Sequence, residues 1–116
     1  DDEALRDTLR TRIERWGARV QAYDSVAALD EASTRGALAE RPDLLLSDHR
    51  LPDGDSSDVA RRVHAVQPGV PVLVITGDTA PGDLARLEAL GWPVLHKPFD
   101  SDALFEAMIA ALRPPR

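Results

Sequence analysis

The chain contains no cysteine. That excludes disulfide cross-links and thiolate metal sites, and it removes one mark of a secreted protein. Aromatic residues make up only 4% of the 116 positions, so a core must be assembled from Leu, Val, Ala and Ile. No apolar run approaches the length needed to cross a bilayer, and no secretory leader pattern opens the sequence. Basic residues number 14 against 20 acids, a net charge of −6. That balance speaks against a nucleic-acid duplex as partner, because phosphate binding takes basic patches. Internal repeats, linker-like stretches and low-complexity segments are lacking too. The expectation is a single domain over residues 1–116, long enough for a real core.

The stretch Leu44-Leu45-Leu46-Ser47-Asp48-His49-Arg50-Leu51-Pro52-Asp53-Gly54 organises the rest. An apolar run buried on both faces predicts a strand over Asp43–Ser47, and Pro52 with Asp53-Gly54 predicts a turn directly after it. Asp48 therefore stands at the carboxyl end of a buried strand. Before it, Leu5, Leu9, Ile13 and Trp16 recur at helical spacing up to Gly17. Ala18–Tyr23 alternates as a strand, and Asp24 or Ser25 can cap a helix carrying Val26, Ala28, Leu29 and Ala32. After it, Ser56, Ser57 or Asp58 can cap a helix with the face Val59, Val63, Val66. Val70–Ile75 is a second continuous apolar strand, running into Thr76-Gly77-Asp78. Pro81 starts a helix with the stripe Leu84, Leu87, Leu90. Val94-Leu95-His96 is a short strand ending at Lys97-Pro98. Asp100, Ser101 or Asp102 caps a last helix whose Leu104, Phe105, Met108, Ile109 and Leu112 are expected to be buried.

A helix followed by strand–helix alternation predicts an α/β fold with a mostly parallel sheet and helices on both faces. Parallel strands bring Asp1/Asp2, Asp48, Thr76 and Lys97 to one edge of that sheet, the edge at which open α/β sheets bind ligands. The set is chemically coherent. Clustered carboxylates call for a cation, and hard oxygen ligands with open positions suit Mg²⁺. A hydroxyl and an ammonium beside them are what a phosphoryl oxygen needs, and a carboxylate can serve as nucleophile to form an acyl phosphate. Each residue also has a plainer reading: Asp1 and Asp2 as acids favoured by a helix dipole, Thr76 as a strand-end hydroxyl, Lys97 as a solvated lysine. The three histidines form no metal set. His64 reads as solvated, His96 lies in a strand, and only His49 adjoins the site.

Taken together, Asp1-Asp2, the Asp48-His-Arg-Leu-Pro-Asp-Gly turn, Ile75-Thr76-Gly77 and Lys97-Pro98-Phe99 resemble the receiver domain of two-component signalling. The intervals between these motifs fit as well, and the resemblance covers essentially the whole chain. It implies a doubly wound, five-stranded parallel sheet in the flavodoxin-like order 2-1-3-4-5. It implies Asp48 as phosphoacceptor and a Mg²⁺ site made by Asp1, Asp2, Asp48 and the backbone carbonyl of Arg50. Thr76 takes the part of the switch hydroxyl, Lys97 that of its paired lysine, and Gly77 that of the small residue leaving access to the acceptor. The Lys97-Pro98 bond resembles the family's cis peptide. The partner implied is a histidine kinase or phosphotransfer domain, with an intramolecular kinase core as a variant, in the cytoplasm, and with no direct nucleic-acid or membrane contact. The domain is then a regulatory phosphoacceptor rather than a turnover enzyme. Residues 76–81 and 91–98 further resemble receivers at the C-terminus of hybrid sensor histidine kinases.

Four departures stand out. Val94 occupies the position of the family's switch aromatic. Ser56 occupies that of a glycine eight residues after the acceptor. The Gly91–Lys97 connection is a residue short. No strand precedes the first helix, so a short apolar strand is expected ahead of Asp1 in the complete protein. The rival reading is a receiver-like interaction domain that is never phosphorylated; a small phosphatase ranks below it, because Arg50 stands where a general acid would be needed.

Overall fold

The computed structural model describes residues 3–18, 20–23, 25–36, 42–51, 53–77, 85, 89 and 91–112. Helix α1 spans Glu3–Arg15 and stops at Gly17, whose φ of +92° is the left-handed conformation that glycine tolerates best. Helix α2, Val26–Thr34, starts at Ser25, which is extended and accepts the Ala28 N–H at 3.0 Å. Strand β1 is Leu45–Asp48. A tight antiparallel ribbon follows, β2 (Arg50–Leu51) with β3 (Gly54–Asp55), where the sequence predicts only a turn. Helix α3 is Ser56–Val66, strand β4 Val72–Thr76, strand β5 Val94–His96 and helix α4 Ser101–Leu112. Ala85 and Ala89 are helical, whereas Pro81, Leu84, Leu87 and Leu90 of the expected stripe lie outside the described residues.

The main sheet is parallel, in the order β1-β4-β5 among the described residues. Its register pairs Leu45 with Val72 through Asp48 with Ile75, and Val74 with Val94 through Thr76 with His96. This is the 3-4-5 half of the expected order. The strand expected over Ala18–Tyr23 is not formed at its described residues. Among the described residues no strand lies beside this segment, so its backbone has no ladder to join.

Strand β4 is the centre of the core. All five of its residues are buried. It begins at Val72 rather than Val70, because Pro71 has no N–H to give a ladder; the Pro71 carbonyl instead accepts the Leu45 N–H at 2.8 Å. Val72 and Val74 pack with Ala60 of α3, flanked by Leu45, Trp92 and Val94. By strand alternation Leu73 and Ile75 face the other side, and α4 packs against β4 and β5. A second cluster, Val26, Leu29, Val59, Val63 and Val70, joins α2 to α3. On the surface, Arg62 of α3 pairs with Asp30 of α2 at 2.9 Å, a contact of the kind worth about 0–1 kcal/mol. Helices therefore cover both faces of a parallel sheet, which is the α/β architecture expected.

Three burial expectations need correction. Leu45 and Leu46 are half-buried, since β1 is paired on one edge only among the described residues. On α4 only Leu104 is buried; Phe105, Ile109 and Leu112 are exposed and Met108 is half-buried. Trp16, just past the end of α1 and also exposed, meets Phe105 edge to face with ring centroids 5.1 Å apart, so each of these rings is partly covered by the other. His64 is not simply solvated. Its Nε2 bonds the Val70 carbonyl at 2.8 Å, tying the end of α3 to the entry of β4.

Candidate functional site

Asp48, Thr76 and Lys97 come together at the carboxyl edge of the sheet because parallel register leaves them no other place. Asp48 ends β1, Thr76 ends β4, and Lys97 follows β5. The backbone locks the three strand ends to one another. His49 N–H donates to Ile75 O at 2.8 Å, and Lys97 N–H donates to Thr76 O at 2.9 Å. Lys97 Nζ then reaches Asp48 Oδ1 at 3.0 Å, with each side chain about one quarter exposed. Thr76 is 3% exposed. A Cβ at Gly77 would lie 3.8 Å from Cβ and Cδ of Lys97, so residue 77 flanks the lysine stem. The Lys97-Pro98 bond is cis.

The loop after Asp48 is moored to two helices. Asp53 accepts the Val26 N–H at 2.8 Å and the Ala27 N–H at 2.9 Å, which caps the first turn of α2 from a distant segment. Those two bonds hold its carboxyl below the ordinary value of 3.8. Asp55, rather than Ser56, Ser57 or Asp58, is the N-cap of α3. It accepts the Ser57 and Asp58 N–H groups while the Asp58 carboxylate takes the Asp55 N–H, a reciprocal capping box. Burial pushes the Asp55 carboxyl up, but bonds from the Ser57 hydroxyl and from the Asp58 and Ser57 N–H groups outweigh it, and the net direction is down. Gly54 is wedged between these helices. A Cβ there would meet Asp58 Oδ2 at 2.8 Å and Val26 Cγ2 at 2.9 Å.

A pH dependence follows from these two carboxyls. Their folded pKa values lie below 3.8, so their stabilising contribution is complete above that value and is lost as pH falls through the folded pKa values. Thermal melts are therefore expected to show no loss from these groups between pH 7 and 5 and a decline below about pH 4. The deficit of an Asp53→Asn variant relative to wild type should be full at pH 7 and vanish at the acid end. A deficit that stays constant down to the lowest pH would contradict the assignment.

For a metal, the donor chemistry fits Mg²⁺. Asp48 offers a carboxylate. Ser56 N–H donates to His49 O, which makes Arg50 and Asp55 a non-hydrogen-bonded pair, and so the Arg50 carbonyl turns away from its ladder partner. Both are hard oxygens of the kind Mg²⁺ takes alongside waters and phosphate oxygens. Asp1 and Asp2 lie outside the described residues. Among the described residues no three His, Cys, Asp or Glu side chains gather into a metal group. No helix described is long and apolar enough to cross a membrane.

Sequence reasoning missed Asp53 as the cap of α2 and His49 as a buried partner of Ser56, whose Oγ lies 3.0 Å from His49 Nδ1. The available signal was Ser56 itself, a polar residue in the place of a usual glycine. Val94 and Trp92 both lie half-buried against the Ala60, Val72 and Val74 cluster.

Residues 1–109 match the family model of the response regulator receiver domain, and the chain belongs to that family. Among curated proteins it is 35% identical over 115 residues to the response regulator MprA of Mycobacterium tuberculosis, covering 97% of this chain and 48% of that protein. It is 32% identical over 113 residues to the C4-dicarboxylate transport transcriptional regulatory protein DctD of Pseudomonas aeruginosa, covering 97% of this chain and 24% of that protein. The chain thus spans half or less of the length of these relatives. Among solved structures, the non-phosphorylated HemR receiver domain of Leptospira biflexa aligns over 100% of this chain and 91% of its own, at 27% identity and a TM-score of 0.77. The chemotaxis protein CheY4 of Vibrio cholerae aligns over 96% and 92%, at 22% identity and a TM-score of 0.77, a likeness of fold. The domain is a receiver of two-component phosphorelay signalling. Both curated relatives are named as regulators and neither as a sensor kinase, so they give the hybrid-kinase expectation no support.

Proposed function

We propose that Asp48 is the phosphoacceptor, taking a phosphoryl group from a phosphohistidine donor with Mg²⁺, and that Thr76 and Lys97 read the change. One observation carries this reading above the others: Lys97 Nζ stands 3.0 Å from Asp48 Oδ1, so the acceptor already has its counter-charge. It also weighs against the unphosphorylated interaction domain, which has no need of an ammonium held at that place.

In the reaction, an Asp48 carboxylate oxygen attacks phosphorus in line. The O–P bond forms as the P–N bond to the donor imidazole breaks, and the imidazole leaves with the electron pair and takes up a proton. Asp48, the Arg50 carbonyl, Asp1 and Asp2 are the residues to hold Mg²⁺, which when bound neutralises charge on the phosphoryl oxygens. Lys97 gives its ammonium to one phosphoryl oxygen, and Thr76 donates its hydroxyl to another. The new group adds a charge of about −1.5 to −2. With Val94 in place of an aromatic, the readout runs through Thr76 and the Lys97 N–H bond to its carbonyl, which joins the two strand ends. Residues 1–116 act as one regulatory domain. The donor is a histidine kinase or phosphotransfer domain, and a cytoplasmic setting follows from that donor. An attached kinase core would be revealed by the sequence flanking this segment.

The test is incubation with a small acyl-phosphate donor and Mg²⁺, followed by intact mass. One added phosphate, released by hydroxylamine, is expected. A chain that gains no phosphate, or gains one that hydroxylamine leaves in place, overturns the reading.

A further inference from the structure

Residue 49 is the point at which the chain leaves the sheet. Its N–H is bonded to Ile75 O of β4 at 2.8 Å, and its carbonyl accepts the Ser56 N–H of α3 at 3.1 Å. The side chains close the same circuit. His49 Nδ1 and Ser56 Oγ lie 3.0 Å apart, with His49 5% and Ser56 0% exposed. A hydroxyl sealed from water needs a partner, and this ring supplies it. Arg50 comes next in the chain, and the direction of its carbonyl is set by how residue 49 is pinned. Ser56 replaces a glycine common in receivers, so a side-chain bond stands here where the usual sequence has none to make.

We propose that His49 and Ser56 are a positioning pair for the metal-binding loop. Their buried hydrogen bond fixes residue 49 against α3 and so aims the Arg50 carbonyl at the place Mg²⁺ takes beside Asp48. This rests on the reading of Asp48 and Arg50 as metal ligands. Neither side chain of the pair touches the metal or the phosphoryl group; both act through the backbone of residues 49 and 50. Asp53 and Asp55 hold the far end of the same loop, by capping α2 and α3, so the pair governs the end nearest Asp48.

The experiment titrates Mg²⁺ alone into the intact protein by calorimetry, with amide exchange of residues 49–51 followed in parallel. Ser56→Ala and His49→Leu are each expected to weaken Mg²⁺ binding about tenfold, the lower end of what outer partners of metal ligands cost. The amide of residue 51 should exchange faster in both. The double variant should bind no more weakly than either single one, because the pair acts as a unit. Ser56→Thr keeps the hydroxyl, and His49→Asn places an amide near the position of Nδ1; both should bind nearly as wild type does. Unchanged Mg²⁺ affinity in folded Ser56→Ala and His49→Leu overturns the pair while leaving the metal site standing, provided Asp48→Asn weakens binding in the same assay. Wild-type affinity in Asp48→Asn, or no binding by the wild type, overturns the metal-site reading and the pair with it. Should His49→Leu fail to fold, Ser56→Ala and its rescue by Ser56→Thr decide the matter: weakened binding that threonine does not restore counts against the hydroxyl bond.

Discussion

An Asp48→Asn chain is expected to take up no phosphate, with labelling reduced roughly a thousandfold or more, as when the nucleophile of a catalytic set is removed. The substitution is nearly isosteric, so the fold should survive and the loss should be chemical. The prediction is sharp because other carboxylates crowd the same loop. Asp53, Asp55 and Asp58 lie within ten residues of Asp48, and any of them could be imagined as an alternative acceptor. The structure gives each of them another task. Asp53 binds the N–H groups of Val26 and Ala27, and Asp55 with Asp58 closes the capping box of α3. Phosphorylating one of these would break a helix cap worth about 1 kcal/mol. Asp48 is the one of the four that faces Lys97 at 3.0 Å. Intact mass after exposure to the acyl-phosphate donor checks this directly. If the variant still gains one phosphate at the wild-type rate, the acceptor is elsewhere and the roles given to Thr76 and Lys97 fall with it.

How much of this was legible in the residues depended on whether a feature is local or shared. The strand ends were legible. A continuous apolar run that stops at a polar residue marks the edge of a sheet, and three such runs gave Asp48, Thr76 and Lys97 their common place without any distance being known. Helix starts were legible to within a residue or two. The sequence offers Ser56, Ser57 or Asp58 as the cap, whereas the reciprocal bonds of Asp55 and Asp58 put it one residue earlier, at Asp55. Features needing a second segment were not legible. Alternation in Ala18–Tyr23 says that a strand could form, whereas a strand exists only beside a ladder partner. Periodicity in α4 says that Leu104, Phe105, Ile109 and Leu112 share a side of the helix, but not how much of that side is covered. His49 and Ser56 each had an ordinary reading alone, and only the folded loop makes them neighbours.

The largest loss of stability is expected from Leu73→Ala. Leu73 is 0% exposed in the middle of β4, opposite Leu46 of β1, in the strand that the whole main sheet shares. Removing its branched end forfeits transfer energy and leaves a cavity, together about 2–5 kcal/mol. Domains of this size are stable by only about 5–15 kcal/mol, and each kcal/mol is worth roughly 4–8 °C. The melting temperature should therefore drop by about 8–40 °C. Leu73→Met conserves volume and should cost less than about 1.5 kcal/mol. Ile109→Ala, on the 40% exposed side of α4, should cost far less than Leu73→Ala. The same strand delivers the carbonyls of Ile75 and Thr76 to His49 and Lys97, so a loosened β4 should also spread the strand ends and slow phosphate uptake in whatever fraction stays folded. Melts of the three variants, with the uptake rate measured well below the lowest transition, separate the two effects. A Leu73→Ala chain that melts within a few degrees of wild type would show that β4 is not the centre of the core.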